Sequence, residues 1–295
     1  MTAPLRIVSW NIDGLAKWLR GATRARAAAQ TPAPRLDALH RLLGEPDVLL
    51  LQEVRLRPED VSAVALMEQA LPGYRCGYAL CRDRINVKFR GGRAYGVTSY
   101  VREELEPRWL PAPDWEREGR MLVCELPQLG LAIANVYAVN GTSKPYYDPV
   151  TGQPQSDRHT WKRSFQTHMR DAFQTMRAGG RELVLVGDWN VSLTALDVHP
   201  RLRTEQPHAL ARAYFQDAFI AGLDVVDAYR ALHDERKFTW FDRVAARRGR
   251  LDAARVDYAL VSRSLLPRVI DADILQEYAL QHGSDHAPLT LSLRI

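Results

Sequence analysis

The chain has little cysteine: Cys76, Cys81 and Cys124 in 295 residues, with no C-x-x-C pair. So sparse and odd a count excludes a disulfide framework and a thiolate zinc site, and leaves free thiols in a reducing compartment. Nor is there an apolar run near the roughly 18–20 residues that a membrane span needs. No membrane partner is therefore expected. Met1-Thr2-Ala3-Pro4 leads directly into a short apolar segment, without the basic and then apolar pattern of a secretory leader. A cytoplasmic protein is expected, in which the N-x-[ST] triplets at Asn140 and Asn190 carry no glycan. Gly91 and Gly96 have the spacing of a phosphate-binding glycine loop, but no Lys-Ser/Thr follows them, which excludes that motif. There is no short-period repeat, and no shift of composition marks a linker.

What is present is an ordinary globular composition, 46% hydrophobic and 25% charged, enough to build a sizeable core. The net charge of +5 admits a polyanionic partner without requiring one. Apolar runs bounded by Gly, Asp and Asn read as strands at 5–12, 47–53, 74–79, 94–102, 121–126, 131–139, 182–188, 237–241, 256–262 and 289–294. Residues 15–43 read as helix, broken at Thr31-Pro32-Ala33-Pro34 because proline lacks a donor and clashes with the preceding turn. Pro58 is expected to open a helix to about Leu71, and a further helix spans about 207–221. Trp161, Phe165, Met169, Phe173 and Met176 recur at helical spacing and form a core-facing stripe. Between them, residues 141–158 read as one long loop. Two strand-rich halves, each with helices, suggest an α/β fold of two packed sheets with helices outside, in a single domain over 1–295.

Several strands end in polar residues that suit chemistry. Glu53 follows Val48-Leu49-Leu50-Leu51-Gln52, and a carboxylate there can ligate Mg²⁺, a hard cation that prefers oxygen; it also fits a plain strand-end salt bridge. Asn11 and Asp13 lie two residues apart after strand 1 and face the same way if the strand persists, although Asn-x-Asp-Gly is also common turn chemistry. Asp188 and Asn190 repeat that spacing. An Asp can take a proton from water attacking phosphorus, and an amide can donate to the oxyanion that develops. Tyr137 and Asn140 close another strand with neutral donors for a phosphate. His286, beside Asp285, can orient or protonate a phosphate, and Asp257 can hold its other ring nitrogen. Two basic stretches, Arg82, Arg84, Lys88, Arg90 and Arg93, and Arg243, Arg247, Arg248 and Arg250, fit either phosphate contacts or a solvated surface.

Taken in order, Trp10-Asn11-Ile12-Asp13-Gly14, Leu51-Gln52-Glu53, Gly187-Asp188-Trp189-Asn190, Phe238-Thr239-Trp240-Phe241, Arg255-Val256-Asp257-Tyr258 and Ser284-Asp285-His286-Ala287-Pro288 resemble the exonuclease III family of abasic-site endonucleases. That family lies within the endonuclease/exonuclease/phosphatase superfamily. The resemblance implies a four-layer α/β/β/α sandwich of two mainly antiparallel sheets. It also implies Mg²⁺-dependent hydrolysis, with Mn²⁺ as an alternative ion, of the phosphodiester 5′ to an abasic site in duplex DNA. A 3′-to-5′ exonuclease or 3′-end-cleaning activity is implied beside it, and a monomer is the default expectation. By matching positions, Glu53 is the principal metal ligand, with Asp13 and Asp285 nearby. Asp188 activates water, Asn190 and Tyr137 donate to phosphate, and His286 pairs with Asp257. Asn11 and Asn140 support Asp188 and the phosphate. Trp240 and Val256 line the pocket for a baseless sugar, and Arg93 is a candidate DNA contact. Val139 and Ala254 depart from the family pattern, where Pro and a large aromatic are common. Two other readings stand beside this one: a phosphoesterase of the same superfamily acting on a non-DNA substrate, and a DNA-binding relative without catalysis.

Overall fold

The computed structural model describes residues 3–20, 35–87 and 95–295. The first third holds strands β1 (Leu5–Asn11), β2 (Val48–Gln52), β3 (Tyr74–Ala79) and β4 (Val97–Arg102), with helices α1 (Ala16–Arg20), α2 (Leu36–Leu42) and α3 (Val61–Glu68). Next come β5 (Arg108–Trp109), β6 (Met121–Leu126), β7 (Leu131–Tyr137), β8 (Pro145–Tyr147), β9 (Pro154–Asp157), α4 (Arg158–Ala178) and β10 (Glu182–Asp188). After β11 (Val198–His199), helix α5 (Gln206–Tyr214) runs through wider π-type turns at Phe215–Ile220 into α6 (Ala221–Leu223). The chain closes with β12 (Val225–Asp227), α7 (Ala228–Leu232), β13 (Trp240–Phe241), α8 (Arg243–Arg247), β14 (Ala253–Ala254), β15 (Asp257–Ser262), β16 (Val269–Ile274) and β17 (Leu289–Leu293).

Two six-stranded sheets result, in the orders β16-β17-β1-β2-β4-β3 and β12-β15-β10-β7-β6-β5. Each has one parallel pair at its centre, β1/β2 and β7/β10, and antiparallel pairs elsewhere. The period-2 alternation of strands separates the layers. Ile7, Val48, Leu50, Ile133, Val184 and Val186 pack between the sheets. Val8, Trp10, Leu49 and Leu51 turn outward against Leu39 of α2 and Met67 of α3. Leu183 and Leu185 turn outward in the second sheet, against Phe165, Met169 and Phe173 of α4 and Phe215 and Phe219 beyond it. The outcome is the α/β/β/α sandwich that the strand pattern suggested.

A buried polar staple fixes how the sheets sit. Gln52 Nε2 donates to Asn135 Oδ1 (2.7 Å) and Ser9 Oγ (2.9 Å), while Asn135 Nδ2 donates to the Thr98 carbonyl (2.8 Å). Hydrogen-bonded polar groups of this kind favour one register where apolar packing alone tolerates sliding. The two parallel pairs therefore end side by side.

Some local expectations change. The segment 141–158 is not one loop, because β8 and β9 form a small antiparallel hairpin whose Tyr146 stacks on Trp161 of α4 at 4.3 Å between ring centres. The helix expected from Pro58 begins at Val61, and the strand expected at 237–241 is only Trp240–Phe241. Of the broken helix at 15–43, α1 and α2 are present, and residues 21–34 lie outside the described ones. β12 and β16 were not anticipated.

Candidate active site

The site lies where the central strands of both sheets end. Asn11 pairs with Gln52 at the ends of β1 and β2, and Asp188 pairs with Tyr137 and Asp257 at the ends of β10 and β7 and the start of β15. Four backbones then leave the sheet in the left-handed region, at Asp13 (φ 50°), Glu53 (φ 54°), Arg55 (φ 54°) and Asn190 (φ 54°). Such conformations cost energy for residues other than glycine and persist where the surroundings over-determine them. Strand β1 stops at Asn11, so Asp13 is aimed by a turn in which its N–H donates to Asn11 Oδ1 (3.2 Å), not by continued pleating. Gly187 permits close approach beside Asp188, since a Cβ there would lie 2.0 Å from the Val136 carbonyl oxygen.

The side chains form a connected network. Asn11 Nδ2 donates to Glu53 Oε1 (3.1 Å) and Asp188 Oδ2 (3.1 Å). Tyr137 Oη donates to Glu53 Oε1 (2.9 Å). The Asn190 N–H donates to Asp188 Oδ1 (2.9 Å), and its amide Nδ2 to the Ala138 carbonyl (2.9 Å). His286 Nδ1 lies 2.9 Å from Asp257 Oδ2, and His286 Nε2 lies 3.9 Å from Asp188 Oδ2. The Asp257 N–H in turn donates to Thr239 Oγ1 (3.0 Å).

Burial and charge set these groups apart. Asp188 is raised to about 7, first by removal of its charge from water and then by repulsion from Asp257. Burial acts to lower His286, but the carboxylate of Asp257 outweighs it and holds the imidazole up at about 10, protonated at neutral pH. Burial acts to raise Glu53, and Arg55 with the Asn11 and Tyr137 donors outweighs it, so the group stays below the usual carboxylate range. One raised and one lowered carboxylate in one network is the signature of divided roles.

These groups edge a cavity of about 540 Å³ lined by Asp13, Glu53, Tyr137, Asn140, Asp188, Asn190, Trp240, Val256, Asp285 and His286. Asn11 and Asp257 are buried behind the lining residues. Arg93 lies outside the described residues. The reading of single motifs missed Arg55, a lining group, and took Arg243 only as part of a basic stretch. Arg55 Nη1 pairs with Asp13 Oδ1 (2.6 Å) and also with Glu53, and Arg243 Nη2 reaches Asp13 Oδ2 (2.6 Å) and Asp285 Oδ1 (3.3 Å). Of the second basic stretch only Arg243 turns inward, while Arg247, Arg248 and Arg250 are exposed. His159, Lys162, Arg203 and His208 line the far side. Lys162 could have been found, since it falls on the same face of α4 as Phe165 and Met169.

Two donor sets could hold a cation. Glu53, Asp13 and Asp285 offer only oxygen and draw two guanidinium groups onto themselves, a demand for positive charge that fits a hard divalent ion. Asp188, Asp257 and His286 form a buried trio with ligand atoms within 4.8 Å of one another. In that trio His286 Nδ1 is already engaged with Asp257, an arrangement suited to moving protons. Among the described residues, no helix is long and apolar enough to cross a membrane.

A two-sheet sandwich with acids and amides gathered at its strand ends has counterparts among known proteins. Residues 8–286 match the model of the Endonuclease/Exonuclease/phosphatase family, and the chain belongs to that family. It is 30% identical to Recombination repair protein 1 of Drosophila melanogaster, over 99% of this chain and 37% of that protein. It is 27% identical to DNA-(apurinic or apyrimidinic site) endonuclease 2 of Mus musculus, over 99% of this chain and 60% of that protein. This chain thus spans less than two thirds of either relative. Among solved structures, the 3′ phosphatase NExo from Neisseria bound to a product DNA hairpin shares the fold. Its TM-score is 0.70 at 23% identity, covering 99% of this chain and all of that one.

Proposed function

We propose that residues 1–295 form one catalytic domain of a monomeric DNA repair nuclease. It hydrolyses the phosphodiester 5′ to an abasic site in duplex DNA with Mg²⁺, or Mn²⁺ in its place. The same chemistry at a strand end gives 3′-to-5′ exonuclease and 3′-end-cleaning activity. The observation that carries this reading is the meeting of Asp188, raised to about 7, with the His286–Asp257 pair and the Asn190 and Tyr137 donors at one cavity. The names of the curated relatives supply the substrate class.

In this reading Asp188 takes a proton from a water molecule whose oxygen bonds to phosphorus, while the bond from phosphorus to the 3′ oxygen breaks and that oxygen gains a proton. Protonated His286, oriented by Asp257, and the amide of Asn190 and phenol of Tyr137 stabilise the charge that builds on the phosphoryl oxygens. Asn11 holds Asp188 and Glu53 in mutual register, and Asn140 at the cavity mouth positions the phosphate. Glu53, with Asp13 and Asp285, would hold the cation. When bound, Mg²⁺ neutralises phosphate charge and stabilises the leaving oxygen. Trp240 and Val256 shape the wall against which a sugar without its base can rest. Arg93 remains a proposed DNA contact from sequence alone.

The test uses two labelled duplexes, one carrying a single stable abasic analogue and one undamaged with a recessed 3′ end, each incubated in Mg²⁺ and in EDTA. A Mg²⁺-dependent nick 5′ to the analogue is expected, and shortening of the second duplex measures the 3′ activity. No cleavage of either duplex with Mg²⁺ or Mn²⁺ would overturn the reading in favour of a small-substrate phosphoesterase or a binding protein.

A further inference from the structure

Lys162 is a cation in an unusual place. It lies on the inward face of α4, only 5% exposed, and still lines the cavity. Its Nζ donates to the carbonyl oxygen of Asn190 (2.7 Å). No carboxylate forms an ion pair with it among the described residues, and the charge that supports it is that of Asp188. Its surroundings on the same lining include His159, His208 and Arg203, and the one acid among them, Glu205, is exposed and makes no ion pair with it. By contrast other buried cations form ion pairs with carboxylates: Arg120 and Arg158 share Glu118, and Arg255 meets Asp197 and Asp227.

A buried cation without an acid partner is costly to retain, and desolvation lowers the Lys162 ammonium to about 8. An anion entering the cavity would relieve that cost. The anion that the proposed reaction brings there is a phosphate. Asn190, whose carbonyl Lys162 holds, has its amide Nδ2 on the Ala138 carbonyl and its backbone in the left-handed region. Lys162 therefore touches both the turn that presents Asn190 and the space beside it.

We infer that Lys162 binds a phosphoryl group in the cavity through its charge, and positions Asn190 through its hydrogen bond to that residue's carbonyl. This inference rests on the nuclease reading for its substrate, but not for its test. Wild type, Lys162→Met and Lys162→Gln are each melted with inorganic phosphate and with sodium chloride at matched ionic strength. Phosphate should raise the wild-type midpoint and leave that of Lys162→Met unmoved. Without phosphate, Lys162→Met should melt at or above the wild-type temperature, since it removes a buried charge that has no ion-pair partner and keeps the chain's bulk. In cleavage assays its kcat/KM should fall on the order of 10- to 100-fold, as for loss of a charged hydrogen bond.

Lys162→Gln keeps a donor for the Asn190 carbonyl without the charge. It should lose phosphate protection as Lys162→Met does, and it decides the question should the Met variant fail to fold. A wild type that phosphate does not protect, or variants protected equally with it, would overturn the inference. So would full activity in Lys162→Gln. A wild type that binds phosphate but cleaves no DNA would instead sink the nuclease reading and leave this one standing.

Discussion

Replacing Asp188 with Asn should abolish turnover and at the same time stabilise the protein, by an amount that grows with pH. Asp188 is raised from 3.8 to about 7 when folded. A shift of roughly three units at ~1.4 kcal/mol each gives ~4 kcal/mol as the cost of keeping this carboxylate charged. Relaxation and water entry would reduce that to ~2–3 kcal/mol. The substitution has its own cost. Asp188 accepts hydrogen bonds from Asn11 Nδ2 and from the Asn190 N–H. An amide has one oxygen for the two donors, so about 1 kcal/mol is lost. The net gain at pH 8 is then ~1–2 kcal/mol. The sign follows from proton counting: between the unfolded value of 3.8 and the folded value of about 7, the folded chain holds more protons, so wild-type stability falls as pH rises through that window. Asp188→Asn does not titrate and escapes that loss. The midpoint difference between variant and wild type, read by circular dichroism, should therefore be near zero or negative at pH 5 and favour the variant by ~2–5 °C at pH 8. Duplex binding in EDTA should survive. A difference that does not change with pH, or a variant less stable at pH 8, would refute the argument that Asp188 is a strained, proton-seeking group.

Glu53→Ala should raise the Mg²⁺ concentration for half-maximal cleavage by roughly tenfold or more, since it removes the carboxylate shared by Asn11, Tyr137 and Arg55; an unchanged Mg²⁺ titration would count against Glu53 as the principal ligand. Phe173→Ala, in the buried layer between α4 and the second sheet, should cost about 3–5 kcal/mol in denaturant unfolding, and a loss under 1 kcal/mol would mean that this layer is not a packed core.

The parts of this molecule that were legible in its sequence share a physical cause. An apolar run that ends in Asp, Asn or Glu records a buried strand and the residue that its end presents, so Glu53, Tyr137 and Asp188 could be found one strand at a time. The order of the strands could not, because β1 and β2 pair although they lie far apart in the sequence, and contacts between distant strands, such as the Gln52–Asn135 hydrogen bond, help to set how the sheets face. β16 escaped notice because Val269–Ile274 carries Asp271 and Asp273 on its open side. The hairpin in 141–158 depends on Tyr146 stacking on Trp161, a contact with no local signature.

The same reasoning explains why the cations of the site were harder to find than its acids. A catalytic carboxylate must be fixed by its own backbone, so its sequence neighbourhood is constrained and readable. A compensating cation need only bring one end of a long side chain to the right place. Arg55, Arg243 and Lys162 come from a turn, a short helix and a long helix; Arg55 and Arg243 read equally well as solvated surface, and only Lys162 carries a signal, its place on the apolar face of α4. What separates them is what they meet. Arg55 and Arg243 meet carboxylates, which a metal would otherwise draw together, and Lys162 meets a carbonyl and open space. A site with its acids matched by cations on the metal side, and a cation without an acid on the far side, is polarised before any substrate arrives. In the proposed reading, that polarity would favour a divalent ion toward Glu53 and a phosphate toward Asn190 and Lys162, with Asp188 between them.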